Sequence, residues 1–418
     1  MASRIPAFAL AGATAVLLSC TTPQPASLAP IEPAAALQPI DPAALQAILD
    51  TTAREMLVPG AVVILSTPQG RFTLTYGTTM LGATIPPAAD THFRIASNTK
   101  TMTAAVIVQL AQEGRLAFDD PVSKFVAGVP NGEHITVAEL LSMRSGLYNY
   151  SDAPKLLARL DADPTKVWTP HEVLQIAFAH PPLFPPGTAY QYNNTNYALL
   201  GLIVEEREHG KPLAAVLHER LFGPLGMRDT VLPASTSNTL PQPYSHGYLY
   251  GSASFALLDQ EYPRDVQAAA QAGTLKPNDD TDLNPSYASA AGGVISTASD
   301  LVTWMQALVG GKVFNADYQR RWLDSVQPED PSKPQGQQYG YGIAQLRFAA
   351  NTLYFHGGEM PGYNSFMGYD PANRVTLVVW TNLPLSPDGR LTANSLMLKM
   401  LDQIYVSSPL RPAAAAPS

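Results

Sequence analysis

The sequence predicts an α+β fold: an antiparallel sheet flanked by helices, built from both chain ends, with a mostly helical lobe inserted between them. Three observations carry this. A helical pattern followed by a hairpin pattern occupies residues 42–77. Strand-like runs return only after residue 350 and lead into a last helix. Between them, residues 120–285 read as helices and loops rich in proline. The chain has 418 residues, 46% hydrophobic and 14% charged, which is enough apolar material for a large core and too little charge for a disordered chain.

Each segment has a local cause. Residues 7–18 are mostly small and apolar, and Arg4 is the only charge before Cys20. That stretch is too short to span a bilayer and has the length of a signal-peptide core. It ends Leu17-Leu18-Ser19-Cys20, which resembles a bacterial lipobox. Residues 1–19 are therefore expected to be a lipoprotein-type signal peptide, with Cys20 lipidated. The alternative is an ordinary signal peptide cut near Ser19. Residues 20–40 read as a Pro/Ala-rich tether, because such a segment prefers extended conformations to a packed core. Residues 41–405 form the folded domain, and 406–418 a disordered tail.

Within the domain, Asp41 is the expected cap of a helix over 42–57, with Pro42 at its first position. Strands follow at 61–66 and 71–77, joined by Pro68-Gln69-Gly70. A helix over 99–113 ends at Gly114. Residues 235–285 are polar and turn-rich and read as a variable excursion. A helix over 300–309 takes Thr297 or Ser299 as its cap. Strands are expected at 353–356, 365–369 and 375–381, and a last helix at 391–405. A cleft between sheet and lobe is the natural place for a site.

Composition excludes several functions. The net charge is −8, and no run of Lys or Arg exceeds Arg320-Arg321, so no nucleic-acid surface is expected. One cysteine rules out an intrachain disulfide and a multi-cysteine metal site. No His-Glu-x-x-His, P-loop, Gly-x-Gly-x-x-Gly or Gly-x-Ser-x-Gly occurs. No metal and no cofactor is expected.

What does occur is Ser97-Asn98-Thr99-Lys100, then Tyr192-Asn193-Asn194, then His356-Gly357-Gly358. With 26 serines and 9 lysines, chance gives about 0.6 Ser-x-x-Lys matches, so no single motif is decisive. The three in fixed order, in fitting contexts, weigh more. A lone Ser97 would be a helix cap, a lone Lys100 a surface lysine, a lone Tyr192 packing, a lone Asn194 a turn residue and a lone His356 a structural histidine. Together they are coherent chemistry. A serine hydroxyl needs a neighbouring base. Lys100 lies one helical turn from Ser97 and serves as that base, or holds Tyr192 as a phenolate that does. The helix N-terminus stabilises an oxyanion, with the Ser97 and Glu359 N–H groups as candidate donors. Asn194 hydrogen-bonds Lys100 and a substrate amide, and His356 pairs with a substrate carboxylate or relays a proton.

At this point the chain resembles the serine penicillin-recognising hydrolases, in the branch that holds class C β-lactamases, DD-carboxypeptidases, D-aminopeptidases and esterases. The resemblance covers residues 41–405. It rests on Phe93 to Lys100, on Arg144-Ser145-Gly146-Leu147, on Pro186-Gly187 leading to Tyr190 through Tyr197, on Ala291 to Thr297, and on His356-Gly357-Gly358. It implies a β-lactamase/transpeptidase-like fold, Ser97 as acylated nucleophile, Lys100 and Tyr192 as its activators, Asn194 as a substrate ligand, and His356, Gly358 and Glu359 on the strand lining the cleft. The implied activity is that of an exported D-alanyl-D-alanine carboxypeptidase-like peptidase of the bacterial periplasm or cell envelope. Alternatives are an esterase, amidase or β-lactamase of the same fold, or a non-catalytic penicillin-binding sensor. Its partners are a small peptide, ester or β-lactam, with peptidoglycan as a candidate source, and a membrane only through the lipid anchor.

Two departures bear on substrate. Glu359 stands where many relatives carry a small or hydroxyl residue; facing the cleft, it repels a terminal carboxylate and favours a cation or neutral ester. The arginine that the carboxypeptidase subtype can carry after Gly340-Tyr341-Gly342-Ile343 is missing, and the nearest is Arg347. Met143 is expected to pack only, while Tyr148, Tyr150 and Tyr287 are either cleft walls or ordinary aromatics.

Overall fold

Asp41 starts the folded domain by accepting hydrogen bonds from the Ala43 and Ala44 N–H groups at 2.9 and 3.3 Å. Helix α1 (Pro42–Glu55) follows, with Pro42 where no N–H is needed. Strands β1 (Gly60–Thr67) and β2 (Gly70–Gly77) form the expected hairpin, with Thr67 opposite Gly70. The computed structural model describes residues 37–258 and 260–406. The predicted signal peptide, Cys20, most of the tether and the tail beyond Val406 lie outside the described residues.

The C-terminal part supplies β3 (Gln327–Pro328), β4 (Gln338–Tyr339), β5 (Ala344–Phe348), β6 (Asn351–Met360), β7 (Tyr363–Asp370) and β8 (Val375–Thr381). One antiparallel sheet results, in the order β2-β1-β8-β7-β6-β5-β4-β3. The β1–β8 pairing, with Val63 opposite Val379, joins the two chain ends. Period-two alternation divides β1 between two cores. Ala61, Val63 and Leu65 meet Leu45 and Leu49 of α1 and Leu396 and Leu401 of the last helix, α5 (Thr392–Ile404). Val62 and Ile64 face the helical lobe, whose members include α2 (Thr99–Gln112), α3 (Asn194–Arg207) and α4 (Ala298–Val309). Both faces of β1 are covered, which is why it reads as one continuous apolar run. Thr297 caps α4 by accepting from the Asp300 N–H at 3.2 Å.

Three expectations need correction. The tether does not extend to residue 40: Leu37 bridges Tyr405, and the Gln38 N–H donates to the Ile404 carbonyl at 2.8 Å. Leu37 and Ile40 are apolar and pack onto the α1–α5 cluster, which outweighs the freedom they would keep in solvent. Strand β6 does not stop at His356 but continues through Gly357, Gly358 and Glu359. Glycines in a strand read as a break, yet here Gly358 permits close approach of the Ile95 backbone. Finally, the polar segment 235–285 builds its own small core, in which Tyr248, Tyr250 and Tyr262 pack with Leu383 and Leu385.

Leu49 lies at 0% exposure in the outer layer, away from the cleft. Leu49→Ala should lower the unfolding free energy by about 2–5 kcal/mol, the usual range for a buried leucine. Denaturant titration measures it, and the folded fraction should keep its turnover number.

Candidate active site

The short pair Phe93–Arg94 and Ile295–Ser296 delivers the chain to a 3-10 turn, Ala96–Asn98, immediately before α2. Ala96 has φ +49, a left-handed conformation uncommon for a residue with a Cβ. The surroundings hold it there. The Ile95 N–H donates to Val294 at 3.1 Å, and the Asn98 side chain donates to Ile95 O at 3.1 Å and Ser365 Oγ at 2.8 Å. Of residues 91–100, all are buried except Ser97, which opens to the cleft.

One turn on, Lys100 is fully buried. Its Nζ lies 2.9 Å from Ser97 Oγ, 2.6 Å from Asn194 Oδ1 and 2.8 Å from the Ala291 carbonyl. Burial holds its pKa well below the ordinary lysine value. All three partners present oxygens to Nζ, which donates to the Asn194 and Ala291 carbonyl oxygens and lies against the Ser97 hydroxyl. Asn194 opens α3, capped by Asn193, which accepts from the Thr195 N–H at 2.8 Å. The other side of the Asn194 amide donates to Ser151 Oγ at 2.8 Å.

Tyr192 hydrogen-bonds Ser97, and its ring centroid lies 4.8 Å from Lys100 Nζ. Burial pushes its pKa above the ordinary phenol value, against the opposing effect of the Ser97 hydrogen bond. The phenolate expectation is thereby corrected. Desolvation of the charged form outweighs the Ser97 hydrogen bond, and Glu329 and Glu359 push in the same direction as burial.

His356 lies on the cleft wall, but both ring nitrogens are committed. Nδ1 donates to the Gly357 carbonyl at 2.6 Å, and Nε2 accepts from the Tyr339 hydroxyl at 3.0 Å. Burial pushes its pKa down to about 3. The expected pairing with a substrate carboxylate is corrected for that reason: at neutral pH there is no imidazolium. Gly358 is where β6 meets the Ser97 turn. A Cβ there would stand 2.2 Å from Ile95 O and 2.6 Å from Ser365 Oγ. Glu359 lines the cleft and also a small recess with Tyr150 and Tyr287.

The cleft has a volume of about 380 Å³. Sequence reasoning missed several of its residues. Asn149 and Ser151 flank Tyr150 in a segment without periodicity; Glu329 and Tyr339 stand in or beside two-residue strands with no detectable pattern. Ala256 and Leu257 come from the polar excursion. Tyr150 and Tyr287 do line the recess, and the Tyr150 hydroxyl donates to Tyr287 O at 2.8 Å. Tyr148 stacks on His180 instead, with ring centroids 4.0 Å apart. Met143 packs at 0% exposure, as expected. Arg347 is exposed on β5 and does not reach the cleft. Among the described residues, no group of three or more His, Cys, Asp or Glu could hold a metal ion. No described helix is long and apolar enough to cross a membrane.

A sheet closed by the two chain ends, with a serine and a buried lysine at the head of the central helix, defines a serine hydrolase. The chain belongs to the beta-lactamase family, whose sequence model matches residues 46–400. It is similar to a D-stereospecific amidohydrolase from Streptomyces sp., with a TM-score of 0.72 and 30% identity over 86% of this chain and 98% of that one. It is similar to a D-amino acid amidase from Ochrobactrum anthropi SV3, solved with L-phenylalanine amide, with a TM-score of 0.71 and 28% identity over 86% of this chain and 97% of that one. An inferred D-alanyl-D-alanine carboxypeptidase of Escherichia coli strain K12 is 24% identical over 79% of this chain and 80% of its own. A penicillin-binding protein of Bacillus subtilis strain 168 is 25% identical over 71% of this chain, which spans 62% of that protein's length.

Two predictions follow from this geometry. Gly358→Ala should slow serine-dependent hydrolysis of a p-nitrophenyl ester by at least about tenfold, the scale of a misplaced reacting group, with the far-UV spectrum unchanged. The second concerns pH. A lysine whose folded pKa is depressed binds fewer protons than the unfolded chain between the depressed value and about 10.4. Stability therefore rises with pH across that window. The difference in unfolding free energy between wild type and Lys100→Met should shift in favour of wild type as pH is raised from 7 to 10. A pH-independent difference would show that Lys100 is charged in the folded protein.

Proposed function

We propose that this protein is an exported amidohydrolase that forms an acyl-enzyme on Ser97 and acts on small D-amino-acid amides and peptides with a free amino group. One observation carries the substrate class: Glu359 lines the cleft that holds Ser97, and among the described residues no arginine or lysine lines it. A free ammonium is attracted there. The terminal carboxylate of a D-alanyl-D-alanine peptide, or of a penicillin, is repelled. The similarity to amidohydrolases that act on D-amino-acid derivatives supports the same reading.

The reaction follows from the contacts. Neutral Lys100 takes the Ser97 proton as Oγ bonds to the substrate carbonyl carbon. The Ser97 and Glu359 N–H groups hold the resulting oxyanion. The proton passes through the Tyr192 hydroxyl to the leaving nitrogen, the C–N bond breaks, and ammonia or an amine departs. Water then adds to the ester under the same base, and the acid leaves with Ser97 restored. Asn194 keeps Lys100 oriented, and His356, neutral and locked to Tyr339, keeps the strand wall in place.

Hydrolysis of D-phenylalanine amide, a D-alanyl-D-alanine peptide and a p-nitrophenyl ester, each with Ser97→Ala as control, tests the proposal. The D-amide should be the preferred substrate of the two nitrogen compounds. Lys100→Ala and Tyr192→Phe should each lower its kcat/KM by about 100-fold or more, the usual general-base contribution. Preference for the D-alanyl-D-alanine peptide would restore the carboxypeptidase reading suggested by the Escherichia coli relative. Export with lipid attachment at Cys20 is part of the same proposal, supported by the sequence Leu17-Leu18-Ser19-Cys20. Cys20→Ser should move the protein from the membrane fraction to the soluble fraction.

A further inference from the structure

The reading above accounts for Glu359 but leaves a second cleft carboxylate, Glu329, without a task. Glu329 is half-buried at the end of β3 and lines the cleft at its Tyr190–Gln337 end. Its Oε1 accepts the Tyr190 hydroxyl at 3.0 Å and the Gln337 amide at 2.8 Å. Both of these bonds fall on Oε1, and Oε2 makes no hydrogen bond among the described residues. Arg144 stands at the Tyr190 ring, 5.6 Å from its centroid, and donates to Ser142 O at 2.8 Å and Pro328 O at 2.9 Å. Glu329 forms no ion pair among the described residues; its charge is felt by Arg144 and by Tyr192 in the cleft.

The direction of the leaving group connects this carboxylate to substrate. The proton that leaves Ser97 returns to the departing nitrogen through Tyr192, so that nitrogen lies over the Tyr192 hydroxyl. Beyond Tyr192 stand Tyr339, with ring centroids 6.3 Å apart, and then Tyr190, whose ring is 5.9 Å from that of Tyr339. Tyr190 holds Glu329 directly. The departing portion of a substrate therefore extends along a tyrosine wall toward a fixed negative charge. The Glu359 recess, with Tyr150 and Tyr287, lies at a different part of the cleft.

We infer that Glu329 is a specificity-determining cation subsite for the leaving group. The preferred substrates are D-aminoacyl amides whose departing amine carries a second positive charge on a flexible apolar stem, as a lysyl or ornithyl residue does. The tyrosine wall covers the stem, and Oε2 receives the ammonium. This rests on the amidohydrolase reading above.

The test compares D-alanyl-L-lysine amide with its uncharged near-isostere D-alanyl-L-norleucine amide on the purified protein. The expected ratio of kcat/KM values is about fivefold in favour of the lysine compound at low salt, the upper range for a partly exposed charge pair. The ratio should fall toward one in 1 M salt, where the screening length is about 3 Å. Glu329→Gln keeps an oxygen for Tyr190 and Gln337 and should also bring the ratio toward one. A ratio near one in wild type at low salt, with both compounds hydrolysed, overturns the subsite and leaves the amidohydrolase reading standing. A ratio that is unmoved by salt and by Glu329→Gln also overturns it, because the preference would then arise elsewhere. Failure of both compounds, with serine-dependent ester hydrolysis retained, overturns the amidohydrolase reading and this inference with it.

Discussion

The burial of one lysine is the constraint on which the site depends. An ammonium removed from water is costly, and burial holds the pKa of Lys100 well below the ordinary lysine value. The Ala291 carbonyl and the Asn194 side chain accept hydrogen bonds from its Nζ and fix it beside Ser97. These acceptors come from segments nearly a hundred and nearly two hundred residues away. The helical lobe must therefore be fully assembled before Ser97 has a base. Stability and activity oppose one another here, since a residue chosen for packing alone would not be a lysine.

The second constraint is close approach. Strand β6 passes the Ser97 turn at a distance that admits only glycine at 358. The same turn carries the left-handed Ala96. Strain of this kind persists only where neighbours over-determine the backbone, and here β6, the Asn98 side chain and the Ile95–Val294 hydrogen bond do so. The result is a nucleophile fixed in orientation without help from a ligand. His356 belongs to the same framework: a histidine locked as a neutral wall residue contributes shape, and leaves the charge of the cleft to its carboxylates.

That charge is what separates this cleft from one built for a terminal carboxylate. Glu359 and Glu329 both line it, and Arg347, exposed on β5, does not. The helical lobe, the β3–β4 edge and the 235–285 segment each contribute a wall. A segment that is polar along its sequence thus ends with Leu257 against the reacting serine's cleft.

Much of this was legible in the sequence. Asp41-Pro42, the continuous apolar run of β1 and the returning strands near the C-terminus determined the helices, the hairpin and the joining of the chain ends, because caps and periodicity act locally. Ser97 and Lys100 were legible for the same reason: three residues on a helix fix their own geometry. Tertiary structure alone decided the protonation states. Whether Tyr192 is a phenolate, whether His356 is charged and whether Lys100 is a base all turn on desolvation, and desolvation is set by residues distant in the chain. It also decided that Leu37 and Ile40 dock, that Leu257 reaches the cleft, and that Glu329 lines it. A two-residue strand or a loop carries no periodic signal, so its place follows only from what the rest of the fold leaves open.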